Sequence, residues 1–480
     1  MAAEGSLKNK TRSGLVWSSF EKLSYQGLQF IFSIILARLL SPEDYGLVAM
    51  PLIFLQIAQV FIDSGFSNAI IRKPDLKEED LSTAFYFNIG VGVISYVILF
   101  TCSPLIANFY NTPQLSSILK VTALATLFTP LCAVQQAILT IKLNFRKQAL
   151  ITLIAQLVTG IVGIGMAYSG YGVWSLVISQ AVASLIRTVL LWCMSGWYPR
   201  TGWSKESFRY LWGFGSKLLG VGLIDCLYQN IYTLVIGKYY SKGELGLYTR
   251  GHGLAHLPTS LYYSVIRRVS FPVLSSVQND SERMIQIFRK LFCSTAFVIF
   301  PLMLAMAGMA EALVSVILSE KWLGAVPYFQ ILCFAMMWIP LDSLNLNLLT
   351  IKGRTDLFLK LEIIKKIIGA IILLLTITLG VEGLCWGYAA YCIIEVIMDT
   401  HYSGVFYNYG FFKQIKDIGS IIVLSVLLFA VNYFLYFTLN CNKYLLLLLS
   451  TLVSCVLFVA YSSVFLRIVT RETINFIKKK

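Results

Sequence analysis

Apolar stretches of roughly 18 to 25 residues recur along nearly the whole length of this 480-residue chain. A helical run of that length matches the hydrocarbon thickness of a bilayer. In lipid every backbone polar group must be satisfied inside the segment, so such runs read as membrane helices rather than loops or open strands. Composition agrees. Only 13% of residues are charged and 57% are hydrophobic, whereas soluble domains carry about 25% charged residues. The expected fold is an all-α polytopic membrane protein of about fourteen transmembrane helices.

The expected spans lie near 14–38, 44–64, 82–106, 117–140, 149–168, 173–194 and 210–236, then 247–266, 291–316, 327–350, 361–379, 384–407, 417–439 and 444–466. The eighth is interrupted by Arg250, His252 and His256. Alternating the sides of the connecting segments puts 27 of the 39 basic residues on the side of both termini and 6 on the other. The rich side includes Lys8, Lys10, Arg12, Arg267, Arg467, Arg471 and Lys478 to Lys480. Positive-inside bias then makes both termini cytoplasmic. The polar start, Met1 to Arg12, lacks a small-residue cleavage site after its apolar run, so that run is expected to be a membrane helix and not a cleaved leader.

The net charge of +15 is spread over short breaks between apolar runs, which points to topology and to anionic lipid headgroups, and not to nucleic acid. Ten cysteines are scattered with no CxxC pair, and only Cys441 falls in an expected external loop. They read as small packing residues, so no disulfide, zinc site or other cofactor is expected. The longest connection, roughly 267–290, is too short for a soluble domain, and external loops such as Ser169–Gly172 and Gly380–Gly383 leave no room for a catalytic module. No enzyme is expected. Trp174, Trp197, Trp203 and Trp322 near span ends are expected as interface anchors.

The chain also carries an internal echo. Ser41-Pro-Glu-Asp-Tyr-Gly-Leu47 matches Ser241-Lys-Gly-Glu-Leu-Gly-Leu247, the stretch ending at Pro130 parallels the one ending at Pro340, and Gly172-Val-Trp matches Gly383-Leu-Cys. Three matches in consistent order predict two six-helix lobes, 1–200 and 205–408, followed by two further helices and a basic tail over 409–480. A parallel repeat of this kind is a transporter architecture, with the path between the halves.

Leu36-Ala-Arg-Leu-Leu-Ser-Pro-Glu-Asp-Tyr-Gly46, Gly170-Tyr-Gly-Val-Trp-Ser175, Phe271-Pro-Val-Leu-Ser275 and Glu320-Lys-Trp-Leu-Gly-Ala325 resemble the polysaccharide transporter family, which includes O-antigen flippases, within a superfamily of multidrug and lipid-linked oligosaccharide exporters. The resemblance covers roughly residues 10 to 410. It implies two helical lobes around a central cavity. It also implies movement of undecaprenyl-pyrophosphate-linked oligosaccharide repeat units across the bacterial inner membrane by alternating access. The implied partners are that lipid-linked substrate, membrane lipids and polysaccharide polymerase machinery.

A charge in mid-membrane costs about 2.5–3.5 kcal/mol on insertion scales, so each calls for a reason. Lys22, Arg187, Lys217 and Arg250 are the candidate cations for an anionic headgroup, Arg187 through bidentate contact with phosphate. Glu21, Asp225, Glu395, Asp399, His252 and His256 are the candidate ion-coupling groups. Glu395 and Asp399 share a helical face, and two carboxylates side by side in low dielectric are expected to hold a proton between them. Under the repeat offset Arg187 falls opposite Met398, so these acids and Arg187 are expected to face one cavity. His252 and His256 form HxxxH, but the motif supplies no third ligand, so hydrogen bonding is expected and metal is not. The bland alternatives are snorkelling for Lys22, capping for Arg38, and interhelical hydrogen bonds for Asp342 and Glu311. Two other functions remain open: a drug or cation antiporter, which would prefer an acidic cavity, and a membrane polymerase or glycosyltransferase, which would need a longer external loop.

Overall fold

The computed structural model describes residues 2–63, 65–439 and 442–477. Cys441 and Lys478 to Lys480 lie outside the described residues, as do the side chains of Lys8, Lys10, Arg12, Arg267, Arg467 and Arg471. The described chain is helical throughout. In order it runs through α1 (Ala2–Leu39), α2 (Pro42–Ala49), α3 (Leu52–Asp63), α4 (Phe66–Arg72), α5 (Glu78–Phe109), α6 (Gln114–Thr122), α7 (Ala125–Ile141), α8 (Phe145–Tyr168), α9 (Trp174–Ser195) and α10 (Lys205–Tyr239). It continues through α11 (Lys242–Ser275), α12 (Ser281–Gly308), α13 (Ala310–Ile317), a 3-10 turn (Glu320–Ala325), α14 (Val326–Met336), α15 (Ile339–Ile351), α16 (Thr355–Thr376), α17 (Gly380–Tyr407), α18 (Phe411–Thr438) and α19 (Lys443–Ile477).

Eleven helical runs among the described residues are long and apolar enough to cross a bilayer. Helices α1, α11 and α16, where three more spans are expected, are not among them. Several expected spans are broken helices: Pro42–Arg72 is one run made of α2 to α4, and Gln114–Ile141 joins α6 to α7.

Two expectations about connections are corrected. The expected long loop over 267–290 shrinks to residues 276–280, because α11 continues to Ser275 and α12 is capped early by the Asp280 side chain accepting from the Arg283 amide at 2.9 Å. A polar helix end has the composition of a loop. The expected glycine loop at Gly380–Gly383 is the first turn of α17, and the positive φ that turns the chain belongs to Gly380, at +82°. Trp197 and Trp322 are also not interface anchors: both are buried, while Trp203 is exposed. Trp197 donates to Glu78 at 2.7 Å.

The chain divides into two compact units, Met1–Gly246 and Leu247–Lys480. In the first, α8 lies between α1 and α9, and Gly160 admits the Phe32 ring so closely that an added Cβ would sit 2.4 Å from it. At one end Phe66, Phe85, Trp197 and Leu211 form a buried cluster. Beside it Lys73 binds Asp80 at 2.7 Å, and Asp80 also accepts from the Lys77 amide at 2.9 Å. That carboxylate is 1% exposed, which the paired lysine and capped amide make tolerable. In the second unit α12 packs on α18 around Gly308, and Phe300 meets Trp338 edge to face at 4.9 Å. Asn345 and Gln414 exchange amide hydrogen bonds of 3.1 and 2.9 Å, and Ser403 donates to Asn345 at 2.7 Å, which ties α15, α17 and α18 together.

The repeat motif has a physical form. Ser41 accepts from the Asp44 amide at 3.2 Å while Asp44 accepts from the Ser41 amide at 2.9 Å. Ser241 and Glu244 make the same reciprocal box at 3.1 and 3.3 Å. Each serine thus starts a helix by satisfying orphan amides. The two copies meet within the first unit. A Cβ on Gly46 would lie 1.8 Å from the Lys242 carbonyl oxygen, and one on Gly246 would lie 1.8 Å from that of Pro42. The contact is reciprocal at the 200-residue offset of the motif, and Lys242 adds an ion pair to Glu43 at 3.0 Å. Glycine is required at both positions because backbone meets backbone. Gly46→Ala and Gly246→Ala are each expected to cost about 1–3 kcal/mol by overpacking. Thermal melting of the purified protein in detergent checks this, with Gly243→Ala, which has room, as the silent control.

Candidate functional site

Charged side chains inside spanning helices gather in two places. The first is in the second unit. Helix α16 carries Glu362 and Lys365 one turn apart, α17 carries Glu395 and Asp399 at i, i+4, and α15 carries Asp342 in its first turn. These three helices pack on one another, which brings the five groups together. The Lys365 side chain is 2% exposed, and its ammonium lies 2.9 Å from Glu362, 3.1 Å from Asp399, 3.7 Å from Asp342 and 4.0 Å from Glu395. Tyr391 donates its hydroxyl to Glu395. An ammonium has three protons to donate, and four carboxylates surround it. One oxygen each of Asp342 and Asp399 is accordingly buried with no hydrogen-bond partner among the described residues. The cage holds more potential negative charge than its single cation can match, the chemical condition for taking up a proton or another cation.

Lys365 is not among the residues that the sequence singles out, although a signal for it exists. Two buried acids at i, i+4 require a cation nearby, and a lysine one turn from Glu362 in an apolar run is the natural supplier. What the sequence lacks is the packing of α15 to α17. Asp342 therefore serves the Lys365 cage, while Glu311 hydrogen-bonds to the Tyr436 hydroxyl.

The second place is in the first unit, a cavity of about 270 Å³ walled by α3, α4, α7 and α9. Arg187 of α9 lines it together with Asp63 and Gln59 of α3. Gln59 donates to Asp63 at 3.0 Å. Arg187 makes no hydrogen bond or ion pair shorter than 4.0 Å with a described residue, but its charge reaches Asp63. Asp63 escapes a reading of the sequence because it stands at a helix end beside the Gly65 turn, where an acid looks like a solvated loop residue.

The other candidates are dispersed. Glu21 accepts from Thr152 of α8 at 2.9 Å, so it does not depend on Lys22 for a partner. Lys22 is half-buried, and Lys217 and Asp225 are exposed on α10. Residues 215 to 222 of α10 pack against Val60 and Gly65, next to the cavity wall. Arg250 is half-buried on α11. His252 and His256 stack at 5.7 Å with rings 13° apart, and Tyr248 lies 5.8 Å from His252. Among the described residues no three His, Cys or carboxylate groups converge as metal ligands. Within its own unit Arg187 lies beside Asp63, and within the other Asp399 lies on Lys365.

Replacing Lys365 by Met leaves several carboxylates facing one another without a cation. It is expected to cost about 3–5 kcal/mol, read as a large fall in melting temperature in detergent. Lys365→Met combined with Asp399→Asn should lose clearly less than Lys365→Met alone; additive losses would contradict the cage.

Residues 35–327 match the family described as "Polysaccharide biosynthesis protein". The chain is 27% identical to the lipopolysaccharide biosynthesis protein WzxC of Escherichia coli (strain K12) over 366 residues, 75% of this chain and 74% of that one. It is 25% identical to the succinoglycan biosynthesis transport protein ExoT of Rhizobium meliloti (strain 1021) over 319 residues, 66% of this chain and 65% of that one. Its fold is similar to that of the lipid II flippase MurJ in an inward closed conformation, with a TM-score of 0.75 at 18% identity, covering 95% of this chain and 100% of that one. With long apolar helices, interior charges in two clusters and a family match across more than half its length, the chain belongs to the polysaccharide biosynthesis protein family of membrane transporters.

Proposed function

We propose that this chain is a flippase, not an enzyme, that moves undecaprenyl-pyrophosphate-linked oligosaccharide repeat units across the bacterial cytoplasmic membrane. The observation that carries the reading is an asymmetry between the cations on its long helices. Lys365 is saturated by carboxylates, whereas Lys22 and Lys217 make no ion pair with a described residue. A cation left unmatched in a spanning helix is stabilised once an anionic headgroup arrives, and that gain lowers the barrier for the headgroup in hydrocarbon. By their names WzxC serves lipopolysaccharide biosynthesis, ExoT is a transport protein of succinoglycan biosynthesis, and MurJ is a lipid II flippase. Those names support a lipid-linked glycan as cargo.

In this reading Lys22 and Lys217 meet the pyrophosphate, Arg187 meets the headgroup through its cavity, and Arg250 adds a fourth contact. Alternating access works between the lobes 1–200 and 205–408, with 409–480 as two added helices. Both termini face the cytoplasm, as the charge bias requires. The Lys365 cage, with Glu395 and Asp399, is the ion-coupling site. Glu21, Asp225, His252 and His256 are secondary candidates for that role. Polymerase machinery would take up the delivered units.

Deleting the gene in its host and locating the lipid-linked glycan tests the proposal. The expected result is accumulation on the cytoplasmic face and loss of surface polymer, restored by the wild-type gene. Complementation with Lys22→Ala/Lys217→Ala is expected to fall by about a hundredfold or more, since each charge-assisted hydrogen bond lost is worth about 1.5–3 kcal/mol. Intact surface glycan with new drug sensitivity would instead identify a drug exporter.

A further inference from the structure

The geometry points to the cavity at Arg187 as a seat for one neutral, hydroxyl-bearing sugar ring of the headgroup, separate from the groups that meet the pyrophosphate. This deepens the flippase reading and rests on it.

Three helices each contribute one polar face to the cavity. Gln59 and Asp63 stand at i, i+4 on α3, Thr129 and Gln136 at i, i+7 on α7, and Ser184 and Arg187 at i, i+3 on α9. Every one of these spacings puts the paired side chains on one side of a helix. At about 270 Å³ the cavity lies just below the usual small-molecule range of about 300–1,000 Å³, so it suits a single ring rather than an oligosaccharide.

Charge decides which part of the headgroup enters. Among the described lining residues, Arg187 is the one basic side chain and Asp63 the one carboxylate, and their charges offset each other. A pyrophosphate entering so small a space would gain the guanidinium but would meet the Asp63 carboxylate at the same time. Gln59 fixes that carboxylate, donating at 3.0 Å and leaving its remaining lone pairs to accept. Sugar hydroxyls both donate and accept. They match this set through donation to Asp63 and acceptance from the Arg187 fork. Thr129 and Ser184 already spend their protons on the Ala125 and Gln180 carbonyls, at 2.9 and 3.1 Å, so they present acceptors. A fixed pattern of donors and acceptors discriminates between sugar epimers better than charge would.

The two occupants respond with opposite sign to single-atom changes. Asp63→Asn removes the anion from the cavity, and Gln136→Glu adds one at nearly constant shape. Both variants are placed in a gene-deletion host, and surface polymer is measured per unit of protein in the membrane. A sugar seat predicts that Asp63→Asn falls at least tenfold while Gln136→Glu stays within about threefold of wild type. A phosphate or an acidic sugar in the cavity predicts that Asp63→Asn equals or exceeds wild type, or that Gln136→Glu falls at least tenfold; either result overturns the proposal. Should Asp63→Asn fail to accumulate, Gln136→Glu alone still decides. If wild type itself restores no surface polymer, the flippase reading fails, whereas a wild type that works with variants of the wrong sign sinks only the sugar seat.

Discussion

The buried ammonium of Lys365 is the interaction on which the second unit most depends. Buried among packed apolar helices a lone ammonium is costly, so its presence obliges α15, α16 and α17 to bring carboxylates to it. They bring four, at 2.9 to 4.0 Å. The cage therefore acts as a fastener and as a reservoir of excess negative charge at once. The nearby Asn345–Gln414–Ser403 network extends the same polar seam to α18 with its amides paired.

The first unit handles charge differently. Its deep carboxylate, Asp80, is matched at a helix end, while Arg187 faces a cavity with Asp63 as its charged neighbour. The second unit surrounds Lys365 with carboxylates, whereas Lys22 and Lys217 of the first make no ion pair with a described residue. That difference is the physical basis of the proposal that coupling belongs to the second unit and most cargo contacts to the first. The paired motif at Ser41 and Ser241 gives the fold its internal register. Matching capping boxes start both helices, and two glycines let each backbone rest on the other.

Much of this is legible in the residues. Hydropathy alone sets the class, because no soluble fold hides so much apolar surface. Serine followed three residues later by an acid marks both helix starts. The Glu395 and Asp399 spacing marks a place where charge has to be managed. Legibility stops where packing takes over. The ends of α11 and α12 look like a loop because polar helix turns outside lipid resemble one in composition. Trp197 and Trp322 look like anchors because their burial depends on neighbours far along the chain. Lys365 and Asp63 escape notice for the same reason: each has meaning only beside residues from other helices.

Unmatched cations on the helices that carry a phosphate-bearing glycan headgroup through the bilayer should reveal themselves in a reconstituted system. Purified full-length protein is placed in liposomes containing the lipid-linked oligosaccharide, and the rate at which internal glycan becomes accessible to an impermeant lectin is measured. Transfer above that of protein-free liposomes is expected, with most of it lost when Lys22 and Lys217 are both neutralised. No transfer by the wild type, or equal transfer by the neutralised protein, would contradict a role for these cations in carrying the headgroup.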